Sequence, residues 1–149
     1  MMKIHVGNAC LDGAFEDPNR LAADASQALR GVQFDTMVGT GFSGALVVPI
    51  LARVMGKNIL LIRKPGDSHH HGTAIAEGDL GDRWVFVDDG IATGTTYRRV
   101  HKAIHELSTA HGVHPQFAGA YIYGHGPFFP PEFLPPGHWL LDKAERGTL

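Results

Sequence analysis

The chain has 149 residues and a mass of 16.1 kDa, a length that suits one hydrophobic core rather than two. Its 44% hydrophobic and 19% charged residues exclude a disordered polymer, and a formal net charge of −2 excludes the bulk positive field that a nucleic-acid partner needs. The single cysteine, Cys10, excludes an internal disulfide and a thiolate-rich zinc site and fits a reducing, cytoplasmic compartment, while the longest apolar run, 45–52, is far shorter than the roughly 20 residues of a membrane span.

Residues 2–6 suit a short strand. Asp17 then offers an N-cap and Pro18 a first-turn proline. Leu21, Ala22, Ala25, Ala28 and Leu29 recur every three or four positions, which predicts a helix over 18–29 that Gly31 stops. Residues 34–38 read as a buried strand, interrupted by the glycine-punctuated G-T-G-F-S-G at 39–44. A helix is predicted from 44 or 45 to Met55, with Pro49 delaying or kinking it and Gly56 closing it. A second apolar strand at 58–62 completes a strand, helix and strand in the pattern of a parallel crossover.

From 63 to 82 the chain is polar and rich in glycine, a length that marks a functional loop, with a short β-excursion expected at 73–76. A third strand over 84–87 runs into Asp88 and Asp89, a helix over 96–110 follows, and a fourth strand is predicted at 117–123. The last segment, 124–149, holds five of the nine prolines together with Phe128, Phe129, Phe133 and Trp139. It neither continues the sheet rhythm nor looks like a solvated tail, so it is expected to pack over something. The whole reads as one α/β domain with a parallel sheet.

Two histidine groups invite a metal reading. His69, His70 and His71 are consecutive, and neighbours in sequence seldom converge on one ion. His101 and His105 share a helix face at i, i+4 and could ligate jointly, although an exposed face accounts for them more simply.

The most informative stretch is V-F-V-D-D-G-I-A-T-G-T-T at 85–96. An apolar strand delivers two carboxylates to its C-terminal end, where open α/β sheets place their ligands. Ala92, Thr93, Gly94, Thr95 and Thr96 then supply successive backbone N–H groups and three hydroxyls at a helix entrance, which suits a phosphate. The carboxylates would repel that phosphate directly but suit a sugar, because each can accept from vicinal hydroxyls or hold Mg²⁺. A phosphate and a diol together describe a ribose 5-phosphate.

This stretch resembles the 5-phosphoribosyl 1-pyrophosphate (PRPP) signature of the type I phosphoribosyltransferases, with Gly90 standing where the family usually has an apolar residue. The resemblance runs from about 35 to 123 and implies the fold of that family: a central, mainly parallel sheet flanked by helices, with a small hood. It implies that Asp88 and Asp89 hold the ribose hydroxyls and that residues 92–96 wrap the 5-phosphate. Gly39, Thr40, Gly41, Phe42, Ser43 and Gly44 would occupy the place of the pyrophosphate loop, where glycines allow close backbone approach, and Arg63 would clamp the pyrophosphate with them. Arg63 and Lys64 match the Arg-Lys that opens the mobile catalytic loop of orotate and adenine phosphoribosyltransferases, and His71 with Gly72 matches a His-Gly of the orotate enzymes. Asp67 lies near the place of a lysine in that loop.

The implied reaction transfers the phosphoribosyl group of PRPP to a nucleobase nitrogen and releases pyrophosphate, with Mg²⁺ carried by PRPP and touching Asp88 and Asp89. Asp88, Asp89, Arg63, Lys64 and His71 are the implied catalytic set. Residues 124–149 resemble the cover of the hypoxanthine and xanthine enzymes, which would place Phe128, Phe129 and Trp139 against the base. A homodimer is the implied assembly. The rival reading is a PRPP-binding regulatory or sensor protein of the same fold that has lost transfer.

Overall fold

In the computed structural model the described residues are 4, 14, 16–66, 74–124 and 130–149. The expected strand at 2–6, apart from Ile4, the His69 to His71 tract, and Asp67, Phe128 and Phe129 therefore lie outside them.

Asp17 accepts a hydrogen bond from the Arg20 amide and caps α1, Pro18–Ala28, whose Leu21, Ala22 and Ala25 are buried. Strand β1 is Thr36–Thr40 and passes without a loop into α2, Gly41–Met55. Strand β2, Asn58–Ile62, matches its expected limits, and β3, Ala76–Gly78, is the short excursion, set slightly later than predicted. Strand β4 is Arg83–Asp88, α3 is Thr95–His111 and β5 is Gln116–Ile122. The C-terminal part holds β6, Glu132–Leu134, and α4, Trp139–Arg146.

Among the described residues the six strands form one sheet in the order β3-β2-β1-β4-β5-β6. The inner pairings β2–β1, β1–β4 and β4–β5 are parallel, and the edge strands β3 and β6 pair antiparallel. Period-two alternation splits the core between two faces. Met37, Val85, Val87 and Tyr121 face α1 and α2, whereas Val38, Trp84, Phe86 and Ala120 face α3 and α4. Because β1 leads to a helix on one face and its neighbour β4 to a helix on the other, the chain switches direction between them. That leaves a crevice at the C-terminal ends of β1 and β4.

Two expectations need correction. The stretch 39–44 is not a separate loop: Gly39 and Thr40 end β1, and Gly41 starts α2 with φ 67°. A Cβ at Gly39 would stand 2.6 Å from Val48 Cγ2 and 3.1 Å from the Gly44 Cα, so these two glycines let the helix fold back tightly on its strand. The helix consequently begins three residues earlier than its apolar pattern suggests, and Pro49 sits inside it without ending it. The C-terminal segment does continue the sheet, since Phe133 and Leu134 pair with Tyr121 and Ala120. Leu134 also packs in the core on the face that holds α3 and α4.

Candidate functional site

The crevice holds a cavity of about 290 Å³ lined by Thr40, Ser43, Lys64 and residues 88–97. Three segments that are far apart in sequence meet there because the register sets Thr40 beside Ile62, and β4 beside β1. Thr40 is fixed from below: its hydroxyl donates to the Ile62 carbonyl at 2.7 Å and accepts from Arg99 Nη2 at 3.3 Å. Lys64 follows β2 and lies over the start of α2, where a Cβ at Gly41 would come within 2.7 Å of Lys64 Nζ.

Asp88 ends β4, and its Oδ1 accepts from the Asp89 amide at 3.1 Å. Burial, and then the adjacent Asp89 carboxylate, push the Asp88 carboxyl from its usual 3.8 up to about 7, while the Asp89 amide and the Lys64 charge pull it back. The pair thus concentrates acceptor oxygens and, once both are ionised, negative charge that Lys64 offsets only in part, which suits hydroxyl donors or a divalent cation. Among the described residues no group of three or more His, Cys, Asp or Glu converges on one point. A cation here would take most of its oxygen ligands from a bound molecule.

Residues 92–96 form the opposite wall. Gly94 is the N-cap of α3 with φ 71° and offers no side chain to cap the helix; the Thr95 amide donates to Thr93 Oγ1 at 3.4 Å, and the helix end as a whole suits an anion. Thr93 Oγ1 and Thr95 Oγ1 lie 3.0 Å apart and face the same space. Arg98 underpins the loop by donating to the Thr93 carbonyl at 3.3 Å. The wall is therefore a cup of amides and hydroxyls, backed by the positive end of a 17-residue helix.

The structure brings together Thr40, Lys64, Asp88, Asp89, Ala92, Thr93, Gly94, Thr95 and Thr96. Other predicted residues stand apart. Arg63 pairs with Glu77 and lines a neighbouring cavity of about 250 Å³ with Arg99 and Lys102. Phe42 is 73% exposed, and Ser43, one residue on, lines the cavity instead. Gly39 packs under α2. Trp139 is 61% exposed on α4, with its ring 5.4 Å from Lys143 Nζ, and is not part of the cavity wall.

Sequence reasoning missed Tyr97 in the lining, for which the helix periodicity that buries it was the available signal, whereas Ser43 belongs to the glycine-punctuated stretch expected there. His101 does not sit on an exposed face as expected. It is half-buried between the Trp84, Tyr97 and Phe117 rings, with centroids 4.3 to 4.8 Å away, and burial lowers it to about 4. Among the described residues no helix is long and apolar enough to cross a membrane.

No protein-family model and no curated protein matches this chain. Solved structures do. The adenine phosphoribosyltransferase of Saccharomyces cerevisiae, complexed with an imino-altritol bisphosphate and adenine, is 21% identical with a TM-score of 0.55 over 89% of this chain and 73% of its own. The adenine phosphoribosyltransferase of Thermoanaerobacter pseudethanolicus is 23% identical with a TM-score of 0.52, covering 72% of this chain and 69% of its own. The orotate phosphoribosyltransferase of Francisella tularensis is 18% identical with a TM-score of 0.50, over 69% of this chain and 49% of its own, so this chain spans about half of that enzyme. The common architecture is the type I phosphoribosyltransferase fold.

Proposed function

We propose that this chain, having the type I phosphoribosyltransferase fold, transfers the 5-phosphoribosyl group of PRPP to a nucleobase nitrogen and releases pyrophosphate. One observation supports the reading: the Asp88–Asp89 pair and the cup at 92–96 line the same cavity, so a ribose at the carboxylates and a phosphate in the cup would belong to one ligand. The adenine and bisphosphate bound by the yeast enzyme are consistent with such a ligand pair.

In the reaction the base nitrogen forms a bond to the anomeric carbon as the bond to pyrophosphate breaks; the leaving group takes the electron pair, and the proton on that nitrogen passes to the departing diphosphate or to solvent. The ribose ring becomes cationic in the transition state. Carboxylates at its hydroxyls stabilise that charge without transferring a proton, and the amides of the cup hold the 5-phosphate still while the far end of the molecule reacts. Lys64, at the mouth near Gly41, is placed to neutralise the departing diphosphate. Asp88 and Asp89 fit Mg²⁺ by their charge, and Mg²⁺ when bound supplies charge neutralisation on the leaving group. His71, outside the described residues, is a further member of the proposed catalytic set, and a homodimer in the cytoplasm is the proposed setting.

The test offers PRPP and Mg²⁺ with adenine, hypoxanthine, guanine, uracil and orotate in turn and follows pyrophosphate release. One base that drives release supports transfer and names the acceptor. Asp88→Asn combined with Asp89→Asn should then weaken PRPP binding by about a hundredfold or more. Binding of PRPP with no base-dependent release would reject transfer in favour of a sensor. Native affinity in the double variant would remove the site assignment.

A further inference from the structure

Arg98 has no part in the chemistry proposed above, yet its guanidinium reaches acceptors on two separate elements. Nη1 donates to the Thr93 carbonyl at 3.3 Å and also to the Ala144 carbonyl, and Nη2 donates to Thr95 Oγ1 at 3.4 Å. Ala144 lies in the last turn of α4, 46 residues along the chain, where its carbonyl accepts from the Gly147 amide at 3.3 Å and keeps a second lone pair at the partially negative end of the helix. A planar fork of donors from a neighbouring helix suits that end.

A second contact lies beside the first. Gly94 is buried, and a Cβ there would stand 2.6 Å from the Ala144 carbonyl oxygen and 2.7 Å from its Cα. Ala144 itself is fully buried, so neither partner can back away into solvent. The tip of the cup is therefore seated directly on α4, and the guanidinium staples the two together.

We infer that Arg98 is a positioning residue, which fastens the end of α4 to residues 93–95 and so holds the cup in the shape that receives a phosphate monoester. The inference rests on the proposed ribose-phosphate site and extends it: the grip on the phosphate depends on a C-terminal helix that does not touch the ligand. A lysine could not replace the arginine, because one ammonium cannot serve acceptors spread over two elements with the same geometry.

Dissociation constants for ribose 5-phosphate and for inorganic pyrophosphate, measured calorimetrically on the full chain, test this. Arg98→Met should weaken ribose 5-phosphate about tenfold and leave pyrophosphate within about twofold, and Arg98→Lys should not restore the loss. Leu29→Ala is the control for mere destabilisation, since Leu29 is buried on the opposite face of the sheet. It should lower Tm while ribose 5-phosphate binds the folded protein normally. Native affinity in Arg98→Met, or an equal loss in Leu29→Ala, would overturn the inference alone. Failure of the unmutated chain to bind ribose 5-phosphate would overturn the underlying site as well.

Discussion

The two ends of the cavity are built differently. At the end formed by 92–96, backbone conformation and packing converge: Gly94 is locked against Ala144, and the Thr93 carbonyl and the Thr95 hydroxyl are tied to Arg98. At the end formed by Thr40, Gly41 and Lys64, one hydroxyl is anchored between Ile62 and Arg99, but the cation is an exposed side chain on a segment leaving the sheet. The first end is shaped before any ligand arrives. The second can adjust to a group that must be held and then released, as a leaving diphosphate must be.

Of the two ends, the rigid one should give the larger effect when broken. Gly94→Ala places a side chain at φ 71° against the α4 backbone. It should cost about 2 to 4 kcal/mol of stability in denaturant melts and lower ribose 5-phosphate affinity at least tenfold. A variant with native affinity would show that the cup does not need its seat on α4.

A smaller effect sharpens the adjustable end. Lys64→Ala should raise the KM for PRPP about tenfold, whereas Arg63→Ala, whose side chain is turned toward Glu77, should raise it by no more than about threefold. Equal losses would mean that Arg63 leaves Glu77 and enters the cavity when PRPP is bound.

The smallest effect is a pH dependence seated between the two ends. Asp88 titrates near 7 in the folded chain against 3.8 ordinarily, raised by burial first and by Asp89 second. Between those values the folded protein keeps a proton that the unfolded chain has released, so ligand-free stability should fall as pH rises through this window. Ligand affinity should move the other way, rising severalfold from pH 6 to 8 as the carboxylate forms. Asp88→Asn should flatten both profiles. A pH-independent melt of the unmutated chain would contradict the shift.

The same contrast governed what the sequence disclosed. Residues 85–96 were legible because strand, acidic pair, glycine and threonines are contiguous, so local pattern and tertiary role coincide. The limits of β2 and α3 followed from periodicity for the same reason. The stretch 39–44 was misread because its glycines serve a close strand-to-helix approach, and that need is set by Val48 and Gly44 across the turn. Prolines hid β6, whose place on the sheet edge depends on pairing with β5. Nothing near Arg98 or Ala144 signals their contact, which exists only once α4 docks on the second face.

Titration of ribose 5-phosphate into isotope-labelled protein, followed through backbone amide resonances, tests most directly that one cavity grips both the sugar and its phosphate. The largest shifts should fall on the amides of 92–96, with Asp88 and Asp89 moving at the same ligand concentration. Shifts concentrated elsewhere, or a response at 92–96 that leaves both aspartates unmoved, would contradict it.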